Sequence, residues 1–497
     1  MAPELNALKV EPRLWIDGVW ADGSGTVAVT NPATGDLLAE VQRGSAEDLR
    51  RAIEGAQRAF AAWSRAPAAL RGEVLKRAAA LLTARRSTLA ALLTREQGKP
   101  LAQALGEVDY AASFFQWFGE EARRLCGRIQ PHPTPGFEYL VQPFPAGVVG
   151  LITPWNFPLA QGAKKVAAAL AAGCTAVWKP AEQTPLIALA LAPLLVEAGL
   201  PAGGLQIVTA PGRLVGEVFT QDARIRVLSL TGSTETGRSL AAAAVRHFPR
   251  LSLELGGNAP FIVLPDADLE KAASDLVRLK FLCSGQVCVT ANRIFIPASR
   301  ESEFLEHLQP LWLQARVGNG LHDGVDAGPL IHHQACQQVR ALIEDALAQG
   351  AAEVCVNRTH ATDARLAAGS FCAPTVVRGV RDDMALASTE IFGPVAPILT
   401  YASIEEAVWR ANGTPFGLAA YVYGTDVARA RAVAEALEVG IVGVNEWRPL
   451  RAEIPFGGIK ESGLGWEGGE EGLHEFVVLK TIALPRASVN IGTKENL

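Results

Sequence analysis

The sequence predicts an α/β protein organised around a parallel, doubly wound sheet, and three observations lead there. Between residues 148 and 255, short apolar runs of strand length alternate with helical stretches and turn residues, the spacing of successive βαβ units. A second alternation of the same kind runs from Asn292 to about Asn445. The 497 residues, 49% of them hydrophobic, are ample for two or three domains with large cores.

Taken in order, the first third is mostly helical. Ser45 opens a capping box with Asp48, and Leu49, Ile53, Ala56, Phe60 and Trp63 recur at steps of four and three, marking one buried face. A second helix is expected over 70–93 and a third over 102–124. The proline-rich segment 129–147 reads as a connector or an arm, and Phe137-Glu138-Tyr139-Leu140-Val141 alternates as an exposed strand does. Strands follow at 148–152, 175–178, 205–209, 225–230 and 251–255, with helices to about Ala172 and over 185–198, 214–220 and 234–246 between them. Beyond a strand at 261–264, a helix over 268–282 leads into a small-residue turn at Cys288. The chain finishes in a glycine-rich loop and a strand over 476–484.

Composition excludes several function classes. Net charge is −5 and the basic residues are scattered, which argues against nucleic-acid binding. Seven cysteines without regular spacing argue against a disulfide framework and for a reducing cytoplasm. Met1-Ala2-Pro3-Glu4 lacks the basic and apolar regions of a secretory leader. The longest apolar run, 13 residues over 166–178, falls short of the roughly 20 that span a bilayer. A soluble cytoplasmic protein is expected, off the membrane. His332 and His333 are adjacent, so their side chains diverge, and no residues have metal-ligand spacing.

The chemistry is concentrated at strand ends. Gly285-Gln286-Val287-Cys288 places a thiol in a small-residue turn, and Leu253-Glu254-Leu255-Gly256-Gly257 places a carboxylate beside two glycines. A nucleophile needs access and a partner that manages protons, and glycines let backbone amides approach the reacting atom. Thr231-Gly232-Ser233 joins a strand to a helix N-terminus, where exposed amides suit a pyrophosphate. The string Gly463-Leu464-Gly465-Trp466-Glu467-Gly468 matches the dinucleotide fingerprint but opens no βαβ unit, so it reads as a chance match. Lys179-Pro180-Ala181-Glu182 closes another strand. Lys179 there suits ribose hydroxyls, and Glu182 would repel a 2′-phosphate; a solvated salt bridge is the bland alternative. Asn156, rigid within Pro154-Trp155-Asn156-Phe157-Pro158, is either an oxyanion donor or an Asx-turn former.

In seven ordered segments the chain resembles the NAD(P)-dependent aldehyde dehydrogenases: 153–158, 179–185, 231–238, 253–258, 285–288, Glu390-Ile391-Phe392-Gly393-Pro394 and Pro455-Phe456-Gly457-Gly458. Ala291-Asn292-Arg293 and Glu461-Ser462-Gly463-Leu464-Gly465 look most like the succinate-semialdehyde and related acidic-semialdehyde branch. The resemblance implies a Rossmann-like NAD-binding domain over 1–128 and 148–256, an α/β catalytic domain over 257–456, and a small β oligomerisation arm over 129–147 and 474–497. It implies that Cys288 attacks the aldehyde, that Asn156 and the Cys288 amide hold the oxyanion, and that Glu254 activates water against the thioester. Lys179, Glu182, Trp155, Gly232, Ser233, Glu390 and Phe392 would bind NAD, preferred over NADP on account of Glu182. A homodimer or homotetramer is expected through the arm.

The match departs from the acidic-semialdehyde branch at the substrate carboxylate. Lys164 and Leu282 stand where that branch places arginines, Cys283 replaces an asparagine, and Thr290 replaces the second cysteine of a redox switch. Leucine cannot clamp a carboxylate, and lysine lacks bidentate geometry. Arg448 or Arg451, in the unusual loop 446–451, either replaces the missing anchor for a small anionic semialdehyde such as succinate semialdehyde, or both face solvent or a partner subunit. Trp117, Phe157, Trp447 and Phe456 would equally form an aromatic funnel for an uncharged aromatic or aliphatic aldehyde. A cysteine hydrolase or acyltransferase without nicotinamide is the competing class, and it lacks a histidine base near the motifs.

Overall fold

The runs around 148, 175 and 225 are apolar on both faces, as strands covered by helices on both sides must be. In the computed structural model, which describes residues 3–359 and 366–486, they form the centre of an eight-stranded sheet. Its order is Val19–Ala21, Leu14–Ile16, Leu205–Ile207, Thr175–Lys179, Val148–Ile152, Ile225–Thr231, Arg250–Glu254 and Gly463–Leu464. The strands from Leu205–Ile207 to Arg250–Glu254 are parallel, and the others pair antiparallel at the two edges. Chain order reverses between Val148–Ile152 and Ile225–Thr231, so the carboxyl ends of those neighbours open the crevice where such sheets bind ligands.

Helix Ala160–Ala172 is buried at every position. It lies between this sheet and a layer formed by Ala68–Ala84 and Leu101–Glu121, whose Phe114, Phe115 and Phe118 share a core with Trp178. A seven-stranded sheet follows, in the order Ala352–Val356, Thr375–Arg378, Val395–Tyr401, Ala291–Pro297, Ala259–Val263, Ala419–Tyr423 and Ile441–Val444. All its pairs are parallel except the first. The two sheets meet between Glu254 and Ala259, the stretch that carries the paired glycines. A three-stranded antiparallel sheet, Val477–Pro485, Phe137–Pro145 and Arg128–Pro131, stands apart from both. Its first two strands pair in unbroken register from Val477↔Pro145 to Pro485↔Phe137. Of the expected arm segment 474–497, residues 487–497 lie outside the described residues.

Four expectations change. The first 45 residues hold strands that the helical reading passed over. The turn Asp17-Gly18 has φ of 54° and 78°, the conformation that Asp-Gly favours in two-residue hairpins. It brings Trp15 and Trp20 edge to face at 4.8 Å, and a second hairpin pairs Gly25–Thr30 with Leu37–Arg43. The expected helix over 70–93 is two helices, Ala68–Ala84 and Arg86–Gln97, broken where Arg85 takes φ −104°, ψ 16°. Apolar residues on either side face the same core, so the periodicity carried through the break. The helix over 185–198 is likewise divided, into Pro185–Leu189 and Leu191–Ala198. Gly463–Leu464 returns to the edge of the first sheet, so that sheet extends beyond residue 256. No helix among the described residues is long and apolar enough to cross a membrane.

Candidate active site

Cys288 lies between a 3-10 turn, Leu282–Gly285, and strand Ala291–Pro297. The chain reverses there through three consecutive left-handed residues, Cys283, Ser284 and Gly285, at φ 48°, 54° and 75°. At Gly285 a side chain would meet the Gly393 carbonyl oxygen at 2.2 Å, and at Gly257 the Cys288 carbonyl oxygen at 2.3 Å. These two glycines let the segments carrying Glu390 and Glu254 close on the thiol loop. The Asn156 amide spans the remaining gap, donating to the Gln286 carbonyl at 2.9 Å.

The electrostatics follow from this enclosure. Cys288 is half-buried; burial, then the Glu390 and Glu254 carboxylates, push its thiol up to about 12. Glu254 ends strand Arg250–Glu254 with both oxygens buried and without hydrogen-bond partners among the described residues. Burial, reinforced by Glu467, raises its pKa well above the carboxylate range, against the pull of Lys164 and Lys165. Glu467 sits between those two ammonium groups and is ion-paired to both. Burial alone would push Glu467 up, but the two lysines outweigh it and hold it down. Lys165 also donates to Ser229 Oγ at 2.8 Å. Glu467 and Lys165 are absent from the residues picked out in the sequence. Glu467 lies inside the glycine string 463–468, so the string has a task after all, though not a dinucleotide turn.

Of the expected cofactor residues, Trp155, Lys179, Glu182, Gly232 and Ser233 lie at the carboxyl ends of first-sheet strands, whereas Glu390 and Phe392 precede strand Val395–Tyr401 of the second sheet. Lys179 is buried at the end of Thr175–Lys179 with no carboxylate within 4 Å among the described residues, and its pKa is lowered by burial. A desolvated ammonium at a strand end fits ribose hydroxyls. Glu182 is ion-paired to Arg43 at 2.9 Å, a neighbour the sequence did not suggest. Gly232 donates its amide to the Glu254 carbonyl at 2.9 Å, and Ser233 caps helix Thr234–Ala244, accepting from the Thr236 amide. Glu390 accepts from the Gly257 amide at 3.1 Å and is pushed up to about 7 by burial. Phe392, at φ 52°, meets the Trp155 ring edge to face at 5.5 Å. A desolvated ammonium, a helix N-terminus and a carboxylate beside the thiol together fit a nicotinamide dinucleotide.

A cavity of about 600 Å³ reaches Cys288, and its wall includes Phe157, Lys164, Trp447, Arg448 and Phe456. Two expected substrate residues are placed elsewhere. Trp117 donates its indole NH to the Gly469 carbonyl at 3.2 Å and packs into the helical core. Arg451 folds back on its own loop, donating to the Arg448 and Leu450 carbonyls at 3.1 and 2.7 Å. Lys164 is on the wall, but its charge is taken up by Glu467 and it lies 4.0 Å over the Phe456 ring. Arg278, unremarked in the sequence because it reads as a solvated helix residue, also lines the cavity.

Comparison with known proteins agrees with this geometry. The aldehyde dehydrogenase family profile matches residues 20–482. The chain is 44% identical over 477 residues to a 3-sulfolactaldehyde dehydrogenase of Pseudomonas putida, covering 96% of this chain and 97% of that one. It is 43% identical over 471 residues to the NADP(+) succinate-semialdehyde dehydrogenase of Escherichia coli, covering 94% and 97%. The crystal structure of a succinate-semialdehyde dehydrogenase from Burkholderia pseudomallei superposes with a TM-score of 0.93 at 44% identity, covering 96% and 98%. The thiol loop, the desolvated carboxylate and the similarity along nearly the whole chain agree: this protein belongs to the aldehyde dehydrogenase family.

Proposed function

We propose that this enzyme oxidises a small anionic semialdehyde, of the succinate-semialdehyde kind, to its carboxylic acid with NAD. The observation that carries the reading is the convergence on the Cys288 loop, which one cavity reaches, of the Asn156 amide and of a Glu254 carboxylate with no hydrogen-bond partner among the described residues. Cys288 gives up its thiol proton to the Glu254 carboxylate, which passes it on to solvent, and the sulfur attacks the aldehyde carbon, forming a thiohemiacetal. The Asn156 side-chain amide and the Cys288 backbone amide hold the oxyanion. When bound, the nicotinamide supplies the hydride acceptor that takes the substrate to the thioester level. Glu254, made basic by burial, takes a proton from water, which attacks the thioester and releases the acid from Cys288.

Lys179, Glu182, Trp155, Gly232, Ser233, Glu390 and Phe392 are proposed to hold the cofactor, within the domain division expected at 256/257. NAD is preferred because the Glu182 carboxylate occupies Arg43, so that a 2′-phosphate meets a repelling charge rather than a free cation. Support for an anionic substrate comes from the wall cations Lys164, Arg278 and Arg448. Lys164 is neutralised by Glu467, Arg278 has Asp275 at 3.7 Å, and Arg448 has no ion-pair partner among the described residues. Arg448 is therefore the proposed anchor. The aromatic wall favours a second reading, an uncharged aromatic or aliphatic aldehyde held by Phe157, Trp447 and Phe456. Seven unpaired cysteines support a cytoplasmic setting, and the exposed arm supports a homodimer or homotetramer.

The test is reduction of NAD and of NADP across succinic, glutaric, sulfo-, aromatic and aliphatic aldehydes, repeated with Arg448→Ala. Arg448→Ala should lower kcat/KM for anionic aldehydes by about ten- to a hundredfold, the worth of a hydrogen bond to a charged group, and leave uncharged ones unchanged. Equal effects on both classes would shift the assignment to the aromatic reading, and no reduction of either cofactor with any aldehyde would remove it.

A further inference from the structure

Three of four consecutive residues that no step above uses, Glu96-Gln97-Gly98-Lys99, hydrogen-bond to residues in or beside three of the motifs on which the chemistry depends. Glu96 accepts from the Leu186 and Ile187 amides at 2.5 and 3.0 Å, just beyond the Lys179–Glu182 turn. Gln97 donates to the Cys283 sulfur at 3.2 Å, in the reversal that presents Cys288. Lys99, with no exposed side-chain surface, donates to the Asn156 carbonyl at 2.6 Å. Its ammonium also lies 3.8 Å over the Phe157 ring. The counter-ion is Glu107, at 2.6 Å and equally buried. The other Glu107 oxygen accepts from the Leu159 and Ala160 amides at 3.0 and 3.2 Å. The Cys283 thiol also donates to the Asn156 carbonyl, at 3.5 Å. The turn 156–160 is thus gripped from behind by one ion pair, while the Asn156 side chain faces the nucleophile loop.

We propose that Lys99, with Glu107 as its counter-ion, is a positioning residue that sets the Asn156 amide for oxyanion binding. A buried ion pair is a costly way to gain stability, but it is a stiff way to fix a backbone carbonyl whose side chain must be placed within a fraction of an ångström. Lys99 is absent from the cavity wall and does not touch substrate; its effect runs through Asn156. The inference rests on the oxyanion role given to Asn156 above.

The experiment is a double-mutant cycle on the full-length enzyme with Lys99→Met, Asn156→Ala and the pair, reading kcat, KM for NAD and Tm. A second readout is nitrophenolate release from p-nitrophenyl acetate without cofactor, which reports thiol attack and oxyanion binding alone. Asn156→Ala should cost about a hundred- to a thousandfold in kcat, as loss of an oxyanion donor does. Lys99→Met should cost at least about tenfold in kcat and in nitrophenolate release with KM for NAD unchanged, and less than about twofold more once Asn156 is gone. Glu107→Gln, which keeps the shape and an acceptor for the two amides, is the second variant if Lys99→Met does not fold, and it must show the same non-additivity. Additive losses, or full activity of the folded variant, would overturn the proposal. If Asn156→Ala itself turns over normally, the oxyanion assignment falls instead.

Discussion

Glu254 holds both oxygens buried and without a hydrogen-bond partner among the described residues, and burial with Glu467 nearby keeps its pKa well above the carboxylate range. Only the ionised form takes a proton from water, and with a raised pKa that form gains ground at higher pH than an ordinary carboxylate does. kcat should therefore keep climbing with pH above the ordinary carboxylate range of about 4 to 5 rather than level off within it. Glu254→Gln should remove this limb and lower kcat by at least about a hundredfold. A wild-type profile that levels off within the ordinary carboxylate range would count against the assignment. Glu182 sets a second test. Glu182→Ala removes the repelling charge and frees Arg43, so the ratio of kcat/KM for NADP to that for NAD should rise by at least about tenfold, roughly the effect of 1.4 kcal/mol. An unchanged ratio would leave cofactor preference without this cause. Both carboxylates were legible in the sequence, because each sits at a strand end beside turn residues. Arg43 and Glu467 were not, since a partner supplied from over a hundred residues away leaves no local pattern.

Helix Arg86–Gln97 ends on Gly98, whose φ of 96° and close approach to Pro329 and Pro32 admit no side chain. The residue before that cap pair, Glu96, serves the amino end of another helix, Pro185–Leu189, and burial pushes it up to about 8. The native state thus favours the protonated carboxyl. Its contribution to stability is full below the unfolded value, near about 4.3, and is lost as pH rises through about 8. Glu96→Gln keeps the acceptor and cannot ionise. It should melt like the wild type at pH about 5 and a few degrees higher at pH about 9; a constant offset at both would mean that Glu96 does not titrate in this range. Among the elements, the capping box of Ser45 and Asp48 formed as its spacing implied, because capping is a contact within four residues. The Asp17-Gly18 hairpin carried an equally local signal and was passed over, since strands of three residues are too short for alternation to register. The break at Arg85 had no signal of its own, because both helices bury the same kind of face.

Across the whole molecule, the three-stranded sheet leaves Ile129 and Leu479 largely exposed, at 64% and 60%. Apolar positions on an unpaired sheet are what a second subunit would cover. Sedimentation should therefore show a dimer or tetramer, with Ile129→Asp combined with Leu479→Asp shifting it to a smaller species at unchanged far-UV circular dichroism. A monomeric wild type would remove the oligomer proposal. The sequence by itself determined the two strand–helix alternations, the place of each motif at a strand end, and the thiol, carboxylate and amide proposed to do the chemistry. Each of those is written in residues close together along the chain. Tertiary structure alone decided that Lys164 is spent on Glu467, that Arg448 rather than Arg451 lines the cavity, and that Lys99 stands behind Asn156. Those outcomes depend on which distant side chains share a low-dielectric interior, where a charge must find its partner, and no spacing along the chain records that pairing.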